Sequence, residues 1–99
     1  MLLAIDIGNT NTVIGLYDKE KLVNHWRIKT DSQSTADELI LTYEGLLQNQ
    51  PEITGISLCS TVPAVLREMR WMLQRYFSDI KTVIIEPGTK TGVPINTDN

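Results

Sequence analysis

Hydrophobic residues in the first thirty positions fall into three short runs separated by polar turns. The run at 1–5 is fully apolar, which is typical of a buried strand. Residues 12–17 and 22–28 mix apolar and polar side chains as half-buried strands do, and Asp18–Lys21 is a polar turn between them. This pattern predicts a meander of three antiparallel strands.

A first amphipathic segment at helical spacing follows the meander. Ser34 and Thr35 are expected to open it, because Thr35 and Glu38 have the spacing of a capping box and Ser34 and Asp37 repeat that spacing. Pro51 lies just beyond its end. The apolar residues that share one face of this helix are Leu39, Ile40, Tyr43, Leu46 and Leu47.

A second helix is predicted after a short apolar strand at 53–59. Ser60 or Thr61 can cap it, and Pro63 falls in the first turn, where a missing N–H costs little. The inner face is predicted to carry Val65, Leu66, Met69, Leu73, Tyr76 and Phe77. The outer face carries Arg67, Arg70 and Arg75, which are most simply solvated.

A last strand at 82–86, closed by Pro87 and Gly88, completes the order βββαβαβ. Strands that are reached through helical crossovers should pair in parallel with the first strand. We therefore predict an α/β fold, a five-stranded mixed sheet with helices packed on it.

Residues 1–87 form this predicted domain, and residues 88–99 are expected to be a connecting segment close to the substrate. The segment is rich in Gly, Thr, Asn and Pro and has no element of its own. Because the chain ends on a polar residue without a terminating element, we expect a fragment that leads to a missing second half. The alternative is a complete protein of 99 residues with a loose tail.

Composition and charge narrow the classes of function. The net charge is −3 and there is no basic run, which argues against nucleic acid as the main partner. A single cysteine, Cys59, cannot form a disulfide framework and fits a reducing, cytoplasmic compartment. The apolar start is too short for a signal peptide, and no stretch approaches the length of a membrane span. We expect a cytoplasmic globular domain with no membrane partner.

The polar segment 6–12, Asp-Ile-Gly-Asn-Thr-Asn-Thr, directly follows the first apolar run. Asp6 projects from a strand end, where a carboxylate can meet hydrated Mg²⁺, an ion that prefers oxygen ligands and keeps several waters. Gly8 lets the backbone approach a phosphate and tolerates positive φ. Asn9–Thr12 add neutral donors beside backbone N–H groups. The segment is neither a Walker A loop nor a Rossmann fingerprint. Since Asp-x-Gly-Asn is also a good β-turn sequence, a purely structural role stays open.

Residues 3–17, Leu-Ala-Ile-Asp-Ile-Gly-Asn-Thr-Asn-Thr-Val-Ile-Gly-Leu-Tyr, resemble the opening of type III pantothenate kinases. These enzymes belong to the actin/hexokinase/Hsp70-like ATPase superfamily, which is built from ribonuclease-H-like half-domains. The first motif alone is typical only of the superfamily, and the ordered combination indicates the family. The further similar segments are His25–Ile28 with Thr30, Ser34–Glu38, Ile56–Pro63 and Lys90–Ile95, so that the resemblance covers essentially the whole chain.

The resemblance implies ATP-dependent phosphorylation of pantothenate to 4'-phosphopantothenate, which begins coenzyme A biosynthesis. It also implies a longer two-domain homodimer that requires Mg²⁺ and a monovalent cation, K⁺ or NH₄⁺. Asp6 would be the metal ligand that orients Mg²⁺–ATP, and Gly8–Thr12 would cradle the phosphates, with Ile7 and Val13 at the edges. The general base belongs to a Gly-x-Asp-Arg motif that should lie beyond Asn99, so the 99-residue chain alone is expected to be inactive.

Two other classes of function remain open. A sugar or acetate kinase, or an Hsp70-like chaperone ATPase, belongs to the same superfamily. A non-catalytic regulatory factor, accessory to transcription, is the second alternative, although such a protein has no need to keep the Asp6 carboxylate.

Five further features have competing interpretations. His25, the only histidine, is not expected to bind a metal, and Cys59 is expected to be a small core residue rather than a nucleophile. Ser60 and Thr61 are helix caps first, with a place in the site as the alternative. Trp71 is expected to pack, and an interface with a second subunit is a candidate place for it. Thr89–Ile95 either lines the pantothenate pocket or merely connects.

Overall fold

The computed structural model describes residues 1–85, which form five strands and two helices. The order βββαβαβ is the predicted one. The elements are β1 (Leu2–Ile7), β2 (Asn11–Asp18), β3 (Lys21–Lys29), α1 (Ala36–Leu47), β4 (Gly55–Ser60), α2 (Pro63–Tyr76) and β5 (Lys81–Ile85). The interpretations that concern Thr89–Ile95 and the segment 88–99 lie outside the described residues.

The five strands form one mixed sheet in the order β3-β2-β1-β4-β5. β1 pairs antiparallel with β2, and β2 pairs antiparallel with β3, as short turns require. β4 pairs in parallel with β1, and β5 in parallel with β4, because each arrives through a helical crossover. The predicted fold class is confirmed, and the first strand of the chain is the central one.

One face of the sheet packs against both helices and forms the core. Every second residue of the central strands points to this face and is buried, and α1 and α2 close it from above. The residues that fill this layer are Leu3, Ile5, Ile7, Ile14, Leu16, Ile56 and Leu58 from the strands and Ile40, Tyr43, Met69 and Met72 from the helices. Burial also raises the pKa of Tyr43.

The opposite face of the sheet, which we call the open face, is not covered by any element within residues 1–85. Alternation along the strands gives it Leu2, Ala4, Asp6, Val13, Gly15, Ser57, Cys59 and Val83. Leu2, Val13 and Val83 are large apolar side chains that remain exposed there. The domain therefore has a helix-covered face and an open face with different chemistry.

The predicted capping box at the start of α1 is confirmed. The Thr35 hydroxyl accepts the Glu38 N–H at 3.3 Å, and the Glu38 carboxylate accepts the Thr35 N–H at 3.0 Å. A contact that the sequence does not predict adds to it, because the Glu68 carboxylate of α2 accepts the Ala36 N–H at 2.9 Å. A negative charge at a helix N-terminus is favourable, so this contact ties α1 to α2.

The inner face of α2 differs from the prediction at its end. Tyr76 is 44% exposed, and its hydroxyl donates to the Asp37 carboxylate at 2.8 Å. That hydrogen bond is the main cause that raises the pKa of Tyr76. Met72, which the pattern left out, is fully buried instead. The prediction is therefore wrong for Tyr76, which binds α1 at the surface rather than entering the core.

The start of α2 also differs from the prediction. Its N-cap is Val62, which offers no side-chain hydrogen bond, and Pro63 is the first helical residue. The Ser60 hydroxyl accepts the Val62 N–H at 3.0 Å, so Ser60 satisfies a backbone donor just before the helix. Within residues 1–85, neither helix has the length and hydropathy needed to cross a membrane.

Candidate functional site

A tight hairpin turn joins β1 to β2. The Gly8 N–H donates to the Asn11 carbonyl at 2.9 Å, which leaves Asn9 and Thr10 at the tip. The side chains of Asn9, Thr10 and Asn11 are all exposed. Asp6 belongs to the end of β1, the strand end from which the sequence predicted it to project. The turn presents three neutral polar side chains to solvent.

Gly8 is required for space rather than for an unusual backbone angle. Its φ lies outside the left-handed region, and a Cβ at this position would lie 3.2 Å from the Asn11 carbonyl oxygen. Such a contact is tighter than normal packing, so a larger residue would push the two limbs of the turn apart. The glycine keeps the backbone of the turn close and compact.

Asp6 lies on the open face, at the carboxyl end of the central strand. Its register neighbours are Val13 on β2 and Cys59 on β4. The Asp6 carboxylate is exposed, as is the Val13 side chain beside it. Ligands of open α/β sheets gather at the carboxyl ends of parallel strands, and Asp6 occupies such an end.

The side chains of Ile7 and Thr12 point to the other side, into the helix-covered face. Ile7 is buried, and its carbonyl accepts the Thr61 N–H at 3.2 Å. Thr12 is 3% exposed, and its Oγ1 lies 2.8 Å from Oγ1 of Thr30. The structure thus brings Asp6, Val13 and the tip of the turn together at one end of the sheet but directs Ile7 and Thr12 inward. The binding roles assigned to all these residues stay predictions.

A cavity of about 480 Å³ lies on the open face next to the turn. Its walls are mostly apolar, with a few polar side chains among them. The lining residues include Asp6, Val13, Tyr17, His25 and Cys59. Asp6 is therefore within reach of a ligand that occupies the part of this cavity nearest the turn.

Asp6 suits Mg²⁺ better than it suits a tightly chelated metal. Within residues 1–85, no three His, Cys, Asp or Glu side chains come together as a metal site would require. Mg²⁺ commonly binds through one or two carboxylates, several waters and the oxygens of substrate phosphates. One exposed carboxylate beside neutral donors fits that description.

Cys59 lies beside Asp6 and is half-buried on the open face. The prediction that it is a core residue is wrong, because its position in β4 turns it away from the helices. Burial, and secondly the charge of Asp6, raises the pKa of the Cys59 thiol. A raised pKa disfavours the thiolate, which is the nucleophilic form of cysteine. The prediction that Cys59 is not a nucleophile stays a prediction.

Removal of the Asp6 charge is expected to make Cys59 more reactive. In Asp6→Asn, the pKa of the thiol should fall, because the carboxylate that disfavours the thiolate is gone. Alkylation of the Cys59 peptide by iodoacetamide at pH 8, followed by mass spectrometry, should become roughly twofold faster. Asp18→Asn, at the far end of β2, is the matched control and should leave the rate unchanged. If the alkylation rate of Cys59 at pH 8 were the same in wild type and Asp6→Asn, the proposed effect of the Asp6 charge on the thiol would be contradicted.

Trp71 lies away from this site, in a groove of about 530 Å³ between α1 and α2. It is 64% exposed, so it does not pack against the described residues 1–85. Packing at an interface with a second subunit stays a prediction.

Thr30 is a residue near the turn to which sequence reasoning assigned no role. It directly follows β3 and contacts both Thr10 and Thr12. The signal that could have found it is the hairpin register, since Asn11 pairs with Lys29 and the next pair outward is Thr10 with Thr30.

The comparisons of this sequence with known proteins indicate one family, and they cover essentially the whole chain. The sequence model of the family described as type III pantothenate kinase matches residues 2–99. The type III pantothenate kinase of Frankia alni is 61% identical over 99 residues, which are 100% of this chain and 39% of that protein. The type III pantothenate kinase of Streptomyces coelicolor is 52% identical over 107 aligned residues, covering 100% of this chain and 40% of that protein. The chain thus spans about two fifths of these curated relatives.

Solved structures with low sequence identity share the fold. A Listeria monocytogenes protein assigned as an N-acetylmannosamine kinase matches with a TM-score of 0.61 and 16% identity, over 86% of this chain and 34% of that one. RuvC of Thermus thermophilus matches with a TM-score of 0.52 and 16% identity, over 87% of this chain and 61% of that one. These similarities support the expected ribonuclease-H-like fold. Because the family match extends from residue 2 to residue 99, the chain belongs to the type III pantothenate kinase family.

Proposed function

We propose that the full-length protein containing this chain transfers the γ-phosphoryl group of ATP to pantothenate, giving 4'-phosphopantothenate and ADP. This reaction begins coenzyme A biosynthesis. The observation that carries the proposal is the family match over residues 2–99, together with 61% identity to the Frankia alni protein. Within that reaction, the proposed role of this chain is to bind the phosphates of ATP.

The residues at the carboxyl end of β1 and in the turn that follows carry the functional groups that binding of Mg²⁺ and phosphate requires. Asp6 would hold the Mg²⁺ that accompanies ATP, since its carboxylate is exposed. When bound, Mg²⁺ neutralises negative charge on the phosphate oxygens. The exposed side chains of Asn9, Thr10 and Asn11 would donate to those oxygens, with backbone N–H groups beside them. Val13 would contact the ligand from the open face.

The turn would act by positioning rather than by proton transfer. Phosphoryl transfer depends mostly on holding the reacting oxygens in line and stabilising their charge. A compact turn with Gly8 at its base and an exposed tip suits that task. We assign the general base, which takes the proton of the pantothenate hydroxyl, to a carboxylate beyond residue 99.

Three finer features are proposed from the family resemblance. The full-length protein would be a homodimer, it would require K⁺ or NH₄⁺, and it would act in the cytoplasm. We assign the monovalent-cation site to the part of the protein beyond residue 99. The single cysteine of this chain supports a reducing compartment.

An acceptor panel tests the proposal. The purified full-length protein is incubated with Mg²⁺–ATP, K⁺ and one acceptor at a time, namely pantothenate, glucose, N-acetylmannosamine or acetate, or with no acceptor. Of these acceptors, we expect only pantothenate to give a phosphorylated product, which mass spectrometry would identify. Residues 1–99 by themselves should give no product, because the proposed base is absent.

Each other outcome identifies a different function. Product formation with a sugar or acetate, but not with pantothenate, would identify another kinase of the superfamily. ADP release that is unaffected by any acceptor would indicate a chaperone-like ATPase. Failure to bind Mg²⁺–ATP in calorimetric titration would favour a non-catalytic regulatory protein.

A further inference from the structure

The tip of the proposed phosphate-binding turn is hydrogen-bonded to a residue that directly follows the third strand. The Thr30 N–H donates to the Thr10 carbonyl at 2.9 Å. The Thr30 hydroxyl lies 2.8 Å from the Thr12 hydroxyl, where either oxygen can be the donor. Thr30 therefore contacts the residues on both sides of Asn11, one at the exposed tip and one in the core.

Each limb of the turn has a neighbouring strand on both sides. The incoming limb, Asp6 and Ile7, belongs to the central strand and has a strand on each side. The outgoing limb starts at Asn11, and β3 is its neighbour on the side away from β1. Hydrogen bonds that extend this pairing to the tip come from Thr30, beyond the last residue of β3. Thr30 thus continues the contact between the outgoing limb and the β3 side of the sheet as far as the tip of the turn.

The two hydroxyls of Thr12 and Thr30 lie in a largely buried environment, so the loss of either one should have a measurable effect. Thr12 is 3% exposed and Thr30 is half-buried, so a partner hydroxyl left without a hydrogen bond would not be solvated easily. Valine has the shape of threonine but lacks the hydroxyl, so it would remove the hydrogen bond while keeping the packing. Serine would keep the hydroxyl and lose only a methyl group.

We infer that Thr30 is a positioning residue that holds the phosphate-binding turn through Thr10 and Thr12, and that the Thr12 hydroxyl supports the turn from inside rather than contacting phosphate. The inference rests on the proposed function, because it assumes that the turn binds the phosphates of ATP. It refines the assignment made from sequence, in which Thr12 was one of the residues that cradle the phosphates.

The test compares Thr30→Val, Thr30→Ser, Thr12→Val and the double variant Thr12→Val/Thr30→Val in the full-length protein. Thr30→Val should weaken Mg²⁺–ATP binding by about tenfold, seen in the calorimetric Kd and in the KM for ATP. The KM for pantothenate should stay within about twofold, because the proposed role of the turn is to bind ATP and not the acceptor. Thr30→Ser should restore ATP affinity, and the double variant should bind no more weakly than either single valine variant.

Thr82→Val is the matched control. Thr82 is a half-buried threonine on β5 whose hydroxyl donates to the Ile80 carbonyl at 3.3 Å, so the same change removes a similar bond elsewhere in the sheet. Its ATP affinity should equal that of wild type.

Three results would overturn the inference. If Thr30→Val lowers the melting temperature but leaves ATP affinity unchanged, the contact is only structural. Additive losses in the double variant would show that the two hydroxyls act separately, as they would if Thr12 contacted phosphate itself. If the wild type binds no Mg²⁺–ATP, the proposed function fails and the inference fails with it. A wild type that binds Mg²⁺–ATP but does not phosphorylate pantothenate contradicts only the proposed function, and the Kd series then decides the inference.

Discussion

Replacing Asp6 with alanine or asparagine in the full-length protein is expected to lower kcat by about 100-fold or more, with no loss of folded structure. Asp6 carries the proposed metal-binding carboxylate at the end of the central strand. Its side chain is exposed, so neither substitution removes core packing. Asparagine also keeps the shape of the side chain, which isolates the effect of charge.

The measurement is steady-state kinetics over a range of Mg²⁺ concentrations, combined with thermal unfolding by circular dichroism. In Asp6→Asn, the Mg²⁺ concentration that gives half-maximal rate should also rise. Asp18→Asn is the matched control, because Asp18 is an exposed carboxylate at the far end of β2. Near-normal turnover in Asp6→Asn would remove Asp6 from the proposed site, and a large drop in melting temperature would show that its role is structural.

The second large effect concerns stability, and its site is Leu58. This side chain is 0% exposed, in the middle of β4, with Ile5 of β1 and Ile84 of β5 as register neighbours. Leu58→Ala should lower the free energy of unfolding of this domain by about 2–5 kcal/mol, because it removes buried methyl groups and leaves a cavity.

Native-state hydrogen exchange of the β1 and β4 amides is the measurement, since it reports the opening of this domain within the longer protein. Leu41→Ala is the control. Leu41 is 71% exposed on α1, so the same change should alter the free energy by no more than about 0.5 kcal/mol. Equal losses in the two variants would contradict the assignment of the core to the helix-covered face.

The element order and fold class followed from the sequence because hydrophobic spacing and turn residues give strong local signals. The same signals could not tell on which face each site residue lies. That information depends on the length of the hairpin turn. With Asn9 and Thr10 at the tip, Asp6 pairs with Val13 on the open face and Ile7 pairs with Thr12 on the covered face. If the turn were longer by one residue, every side chain of one strand would lie on the opposite face of the sheet relative to its present partners.

Hydrophobic periodicity also could not predict the partners of polar side chains that join the two helices. Helical spacing put Tyr76 on the inner face, but it is the last residue of α2 and can turn to the surface. Its partner, Asp37, belongs to the other helix and is far away in sequence. The same holds for Glu68, whose contact with the Ala36 N–H depends on how the two helices pack. Local patterns contain no information about such pairs.

The candidate site was predictable in part. Asp6 and the turn were found because a carboxylate and several neutral donors directly follow a fully apolar run. Cys59 could not be assigned to the neighbourhood of Asp6, because that proximity depends on the register in which β4 pairs with β1. Thr30 was missed for a similar reason, since its role depends on a register that only the folded hairpin defines.

The central position of β1 also has a consequence for the order of folding. The hairpins of β1, β2 and β3 join segments that are close in the chain, so they can form early. Pairing of β1 with β4 brings Leu2 beside Gly55 and must close a much longer loop. During synthesis on the ribosome, β1 therefore has one free edge until β4 has emerged. The proposed phosphate turn can form with the first hairpin, but Asp6 acquires its neighbour Cys59 only in this later step.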